Sequence, residues 1–310
     1  GRAQRRRHAG PAARCAPASP RPPRPRRARG AGGLTWPGVS ARTIPAVLSI
    51  AGSDSGGGAG IQADLKAFAA CGVHGMTAIT ALTAQNTVGV DAVAAVEPEM
   101  IVAQVRAVLS DIGVDAVKIG MLGSVPTIEA VVEAVGLLPA GTPIVLDPVM
   151  VSESGSPLLE PDARAALVAR LLPRVTVVTP NLPEARAIVE RDDLDAPALA
   201  RAIHALGPRH VIVTGGHRDE ATDILFDGER IVELPGPRHP DGAAHGSGCT
   251  HSSALAAQLA LGLPLVEAAR AAKEVASRAV RDGLREVGRG AGPVDALGIR
   301  ARRGARAAAA

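Results

Sequence analysis

From residue 45 onward the chain alternates between short apolar, largely β-branched runs and longer segments whose apolar positions recur every three or four residues. The short runs, at 46–50, 76–80, 116–119, 144–146, 175–179 and 211–214, predict buried strands. The segments between them, at 62–70, 99–112, 127–135, 162–172, 183–189 and 198–205, predict helices. In the first of these, Ile61, Leu65 and Phe68 stand at helical spacing and leave Lys66 on the opposite face. Two further helical segments are expected at 250–261 and 265–280. Strand–helix alternation of this kind predicts an α/β fold: a mostly parallel sheet with helices on both faces, three layers in all.

The ends of the chain break the pattern. Residues 1–44 are dominated by Arg, Pro, Gly and Ala, with 11 arginines and no acid. A segment with so little apolar surface cannot offset the entropy of ordering, so disorder is expected there. A basic arm, a targeting peptide and an upstream region outside the mature protein are its three readings, the last being the plainest. Residues 299–310 are likewise expected to be a disordered tail. The domain is therefore bounded at 45–298.

Charge changes meaning once the ends are set apart. The whole chain has 34 basic and 30 acidic residues, but residues 45–299 hold only 19 of the basic ones and all 30 acidic ones. A body of net charge −11 has the wrong sign for gripping a phosphate backbone, and no nucleic-acid partner is expected. With no Tyr, and only Trp36, Phe68 and Phe226 as aromatics, stacking platforms for single strands are excluded too. No apolar stretch is long enough to predict a membrane span. Three cysteines, Cys15, Cys71 and Cys249, suit a reducing compartment, and a cytoplasmic location is expected.

Open α/β sheets bind ligands beyond the carboxyl ends of their strands, and the unusual residues gather there. The strongest motif is His245-Gly246-Ser247-Gly248-Cys249-Thr250, followed at once by a helical segment. Glycines at the start of a helix expose free N–H groups, an anion hole suited to a phosphate in transfer. Cys249 falls in the first turn, where the helix dipole is expected to favour its thiolate. A Gly-rich loop with an inert buried Cys is the ordinary alternative. A second glycine-rich stretch, Gly52 to Gly60, leads into the helix carrying Asp64, which either complements the dipole or accepts bonds from a ligand amine. Its spacing fits a dinucleotide fingerprint poorly. Asp147 and Glu184 each follow a buried strand; as a pair they would suit Mg²⁺, and singly either would serve as a cap or turn former. Gln85 ends an apolar run with an amide that could read a heteroaromatic edge. The eight histidines form no metal-binding spacing.

These stretches together resemble a known family. SIAGSDSGGGAGIQADLKAF, ITALTAQNTVGV, VKIGMLGS, VLDPVM, TPNLPEA, TGGH and HGSGCTHSSALAA stand in the order found in bacterial hydroxymethylpyrimidine/phosphomethylpyrimidine kinases, of the ribokinase-like superfamily, and span about 45–297. The resemblance implies ATP- and Mg²⁺-dependent phosphorylation of an aminopyrimidine alcohol and then of its monophosphate, for thiamine biosynthesis, by a homodimer. It implies that Gln85, Asp64, Gly58, Ala59, Met121 and Val149 bind the pyrimidine. Gly246, Ser247, Gly248 and Cys249 would carry catalysis, with Cys249 as base. Asn181, Glu184, Thr214 and Gly216 would serve the nucleotide, and Asp147 and Glu184 the metal. Thr214 stands where the family often has Lys, with Arg218 and Lys273 as possible substitutes. The rival readings are a pyridoxal kinase of the same superfamily and a hydrolase using Cys249 with His245 or His251.

Overall fold

The computed structural model describes residues 43–215 and 221–308. Residues 1–42, Gly216, His217 and Arg218 lie outside the described residues. Ten segments fill the first half: β1 (Ala46–Asp54), α1 (Gly60–Cys71), β2 (His74–Gln85), β3 (Val90–Ala95), α2 (Pro98–Asp111), β4 (Ala116–Ile119), α3 (Val125–Gly136), β5 (Ile144–Leu146), α4 (Pro161–Ala166) and β6 (Val177–Val178). They are followed by α5 (Leu182–Val189), α6 (Ala196–His204), β7 (His210–Val213), β8 (Asp223–Phe226), β9 (Ile231–Leu234), α7 (Ser247–Ala260), α8 (Leu265–Arg281) and α9 (Ile299–Ala308).

Among the described residues the strands form one nine-stranded sheet in the order β3-β2-β1-β4-β5-β6-β7-β8-β9. The six from β2 to β7 run parallel, and β3, β8 and β9 are antiparallel additions at the two edges. Strand alternation then sorts the core. Leu48, Ile50, Val117, Ile119, Ile144 and Leu146 face one layer, where Ile101 and Val105 of α2 and Ile128 and Val131 of α3 are buried. Val47, Ala116 and Val145 face the other, against Phe68 of α1 and the alanine-rich faces of α7 and α8. The three-layer α/β/α expectation holds. With two phenylalanines in the whole chain, the core is aliphatic.

Local chemistry sets the element ends. Proline at the first turn starts α2, α3, α4 and α6, where a missing N–H costs nothing. Gly72, at φ 78°, closes α1 in the left-handed conformation, which glycine adopts without strain. All six expected strands and eight expected helices are present, with shifted ends. The helix expected at 162–172 is instead α4 followed by a wide turn at Leu167–Leu171 and a tight one at Leu172–Arg174.

Two expectations fail. The antiparallel strands β3, β8 and β9 were not foreseen: each has four to six residues and little alternation of its own, and its pairing comes from the sheet edge. The C-terminal segment is the helix α9 rather than a disordered tail. Asp295 starts it, accepting hydrogen bonds from the backbone of Ile299 (2.8 Å) and Arg300 (2.9 Å), and Arg300 pairs with Glu286. No described helix is long and apolar enough to cross a membrane.

Candidate active site

The parallel strands all end at one edge, and a cavity of about 490 Å³ lies across those ends. The order of strands in the sheet becomes the order of groups in the cavity. Gln85 comes from the end of β2, Ala59 from the loop after β1, and Met121 and Val149 from beyond β4 and β5. Asp147 follows β5, Asn181 and Glu184 follow β6, and Thr214 follows β7. Gly246, Ser247, Gly248 and Cys249 line the same cavity at the start of α7, which packs against β1, β4 and β5. The helix start therefore stands between the proposed pyrimidine side and the proposed nucleotide side.

Gly246 holds φ 84° at the N-cap of α7, and a side chain there would overlap the carbonyl of Gly58. Only glycine meets both constraints. Gln85 is placed through its backbone: its N–H donates to Ser55 Oγ (2.9 Å), and its carbonyl accepts from the same hydroxyl (2.7 Å). Its amide oxygen accepts from Thr83 Oγ1 (3.1 Å), and the residue lines the cavity. Asn181 and Glu184 form a reciprocal capping box on α5, with both bonds at 2.9 Å. The ordinary reading of Glu184 as a cap is thus met, and the same side chain lines the cavity.

Beneath the anion hole lies a charge network that the sequence reading missed. Lys118, in the middle of β4, is fully buried and bonds Asp64 at 2.9 and 3.2 Å. Asp64 also accepts from Ser49 Oγ (2.6 Å) and Ser253 Oγ (2.7 Å). It is fully buried and is not among the residues that line the cavity, its carboxylate being engaged by Lys118, Ser49 and Ser253. Gly58 does not line it either, and is packed under His245 instead. Burial pulls the Lys118 ammonium down, but Asp64, Cys249 and Asp147 outweigh it and hold it above the ordinary lysine range. Asp147 stands 3.9 Å from Lys118 and accepts from Ser252 Oγ (3.0 Å); burial raises its pKa, with Lys118 and Ser252 opposing. Burial and the nearby Asp147 together push Glu184 up to about 8.

The expected thiolate at Cys249 is not what the structure holds. Burial pushes this thiol up to about 12; Lys118 lowers it, but Asp147 and Asp64 raise it further. Desolvation of a charge next to two carboxylates exceeds what one helix end can supply. Of the two residues considered in place of the lysine absent at Thr214, Lys273 of α8 lines the cavity wall and pairs with Asp223 at 2.7 Å. His251 Nε2 stands 3.5 Å from the same Asp223, and burial lowers its pKa, so the ring is neutral near pH 7.

A family model described as phosphomethylpyrimidine kinase matches residues 54–295. The chain belongs to the phosphomethylpyrimidine kinase family. A hydroxymethylpyrimidine/phosphomethylpyrimidine kinase of Rhizobium meliloti (strain 1021) is 52% identical over 254 residues, covering 80% of this chain and 95% of the relative. A kinase of the same name from Streptomyces coelicolor is 47% identical over 259 residues, covering 82% and 94%. Among solved structures, the ADP complex of Bacillus subtilis pyridoxal kinase matches with a TM-score of 0.75 at 38% identity, covering 83% of this chain and 99% of that one. Phosphomethylpyrimidine kinase from Clostridium difficile 630 matches with a TM-score of 0.66 at 42% identity, covering 74% and 96%. The fold is ribokinase-like, and the protein is a kinase.

A thiol held near 12 stays protonated through the neutral range. In the native protein, alkylation of Cys249 by iodoacetamide should therefore rise about tenfold per pH unit from pH 7 to pH 10, the thiolate fraction of a weak acid below its pKa. Peptide mapping of the labelled protein checks this; a rate that levels off below pH 9 contradicts it.

Proposed function

We propose that this kinase transfers the γ-phosphoryl group of ATP to the hydroxymethyl oxygen of 4-amino-5-hydroxymethyl-2-methylpyrimidine, and in a second reaction phosphorylates the resulting monophosphate, in thiamine biosynthesis. What carries this reading is the placement of the glycine anion hole of α7 between Gln85 at one end of the cavity and the Asp147 and Glu184 carboxylates at the other. Phosphoryl transfer needs little covalent chemistry from the protein; it needs the two oxygens in line and the charge on the moving group neutralised.

Each residue then has a task. The Gln85 amide donates to and accepts from the edge of the aminopyrimidine, whose faces pack on Met121 and Val149. The backbone N–H groups of Gly246, Ser247 and Gly248 take the developing negative charge of the transferred group. Asn181 and Thr214 serve the nucleotide side, and Gly216 joins them in this reading. Lys273 adds a positive charge there.

Asp147 and Glu184 suit Mg²⁺: they are hard oxygen donors, buried in one cavity, and Asp147 raises Glu184, a repulsion that a dication relieves. When bound, the ion would neutralise phosphate charge and weaken the carboxylate field that holds the Cys249 thiol up. The thiolate form of Cys249, a minor species at neutral pH that a bound ion would enlarge, is the acceptor for the hydroxymethyl proton in the first reaction, the thiol having first released its own proton to solvent. The monophosphate of the second reaction brings an ionised oxygen and needs no such base.

A hydrolase built on Cys249 finds no support in this geometry. The charged groups that act on the thiol are Lys118, Asp147 and Asp64, while His245 and His251 are turned to Asp54 and Asp223. Pyridoxal is the second acceptor to consider, because the pyridoxal kinases superpose well at 34–38% identity.

An edge hairpin supports the homodimer of the same proposal. Strand β3 is exposed along most of its length, and Leu82 and Val93 on the hairpin are 53% and 54% exposed.

Incubated with Mg·ATP and the pyrimidine alcohol, the enzyme should release ADP at a rate well above that with pyridoxal, and Mg²⁺ removal should stop it. No ADP release with the alcohol sinks the proposal. Cys249→Ala should slow the first phosphorylation by about 10²-fold or more, the scale of a single general base, and the second by less. Equal losses in the two reactions, each measured on its own purified substrate, contradict the role of Cys249. Light scattering on a sizing column should give twice the 31.3 kDa chain mass, and Leu82→Glu with Val93→Lys should halve it. A wild-type monomer removes the dimer from the proposal.

A further inference from the structure

The loop after β1 looks like a phosphate cradle in sequence, yet its donors are already taken. Asp54 Oδ1 accepts from the Gly56 N–H (2.7 Å), and Oδ2 accepts from the N–H groups of Gly58 (2.9 Å) and Ala59 (2.8 Å). The protein's own carboxylate fills the nest. Those amides and His245 hold Asp54 below the ordinary carboxylate range in spite of its burial. On its remaining side, Oδ2 faces His245 Nε2 at 3.4 Å.

His245 is itself buried, and it is the residue immediately before the anion hole. Two backbone approaches close the same junction. A Cβ at Gly58 would overlap the His245 ring, and one at Gly246 would overlap the Gly58 carbonyl. The His245 carbonyl accepts from the Val294 N–H (3.1 Å), which fixes the other side of the residue. The loop that presents Ala59 to the acceptor is thus locked onto the turn that presents Gly246 to the phosphoryl group, although Ala59 and His245 are 186 positions apart in the chain.

We propose that Asp54 and His245 are a pair of positioning residues that hold the acceptor loop and the anion hole in register. The inference rests on the kinase reading above. Neither residue need touch the reacting atoms: Asp54 sets the loop, His245 sets the turn, and their contact sets the distance between them. Each substrate binds largely to its own half of the cavity, so loosening the junction disturbs alignment more than binding. In kinetic terms that lowers kcat and leaves KM alone.

The test is a set of variants assayed on the pyrimidine alcohol, with pyridoxal as a parallel acceptor. His245→Ala should lower kcat roughly 10- to 100-fold, the cost of a misplacement on the order of an ångström, with KM for ATP and for the acceptor each within about threefold. His245→Gln, whose amide nitrogen can approximate Nε2, should recover most of that loss. Gly58→Ala should reproduce the kcat loss on its own, and should add little in the His245→Ala background, where the ring it displaces is gone. Asp54→Asn combined with His245→Ala should likewise fall well short of the product of the single losses. Multiplicative losses, a loss carried by KM, or an unchanged kcat in folded His245→Ala would overturn the proposal. Melting temperatures identify any variant that merely unfolds, and Gly58→Ala keeps the test open if Asp54→Asn does. Wild-type turnover on the alcohol judges the substrate reading; the ratio of variant to wild type, on whichever acceptor is phosphorylated, judges this one.

Discussion

A lysine with no exposure in the middle of a sheet can persist only if its charge is met, and Lys118 is met by Asp64 at 2.9 Å. Removing one partner of such a pair typically costs about 3–5 kcal/mol, because the other is left charged and desolvated. The pair also ties the sheet to one helical layer, joining four elements at one point. Lys118 belongs to β4, Asp64 to α1, and the hydroxyls of Ser49 and Ser253 reach the carboxylate from β1 and α7. The helix that carries the anion hole is therefore anchored to the sheet through a polar network, directly below the site. Asp147 and Cys249 feel the same ammonium, so the electrostatics of the site follow from this buried charge as well.

Around that anchor the cavity solves a problem of sign. The body of the chain is acidic, yet an enzyme of this family must hold a nucleotide. In the reading proposed above it does so with local devices: backbone N–H groups at the start of α7, the ammonium of Lys273, and two carboxylates whose mutual repulsion would be relieved by a dication. The Asn181–Glu184 capping box shows how little is added for this purpose. The side chain that satisfies the first turn of α5 is also one that lines the cavity, so in the proposed reading a structural and a functional demand fall on the same residue.

Much of this was legible in the chain before any coordinates. The alternation of strands and helices, the three layers and the gathering of Gln85, Asp147, Glu184 and the Gly-Ser-Gly-Cys turn at strand ends all follow from periodicity and from the rule that α/β sheets bind ligands at their carboxyl edge. The pairing of Asp64 was not legible for a specific reason: an acid near a helix start is ordinarily a surface feature, and nothing local says that a lysine 54 residues later will cover it. Lys118 was itself the available signal. A charged residue inside a four-residue strand buried on both faces has to have a partner. The strands β3, β8 and β9 were missed because an edge strand borrows its stability from its neighbour.

Sequence alone determined what depends on near neighbours along the chain: which segments bury which faces, where helices begin and stop, and which family's motifs are present. Tertiary structure decided what depends on distance through space. It set the charge state of Cys249, since desolvation and two carboxylates from other elements outweigh the helix end that sequence places beside it. It filled the Gly56–Ala59 nest with Asp54 and brought His245 against that loop. Local preferences extend over a few residues, whereas burial and Coulomb energies depend on what folding places within a few ångströms, and those partners lie up to 191 residues apart.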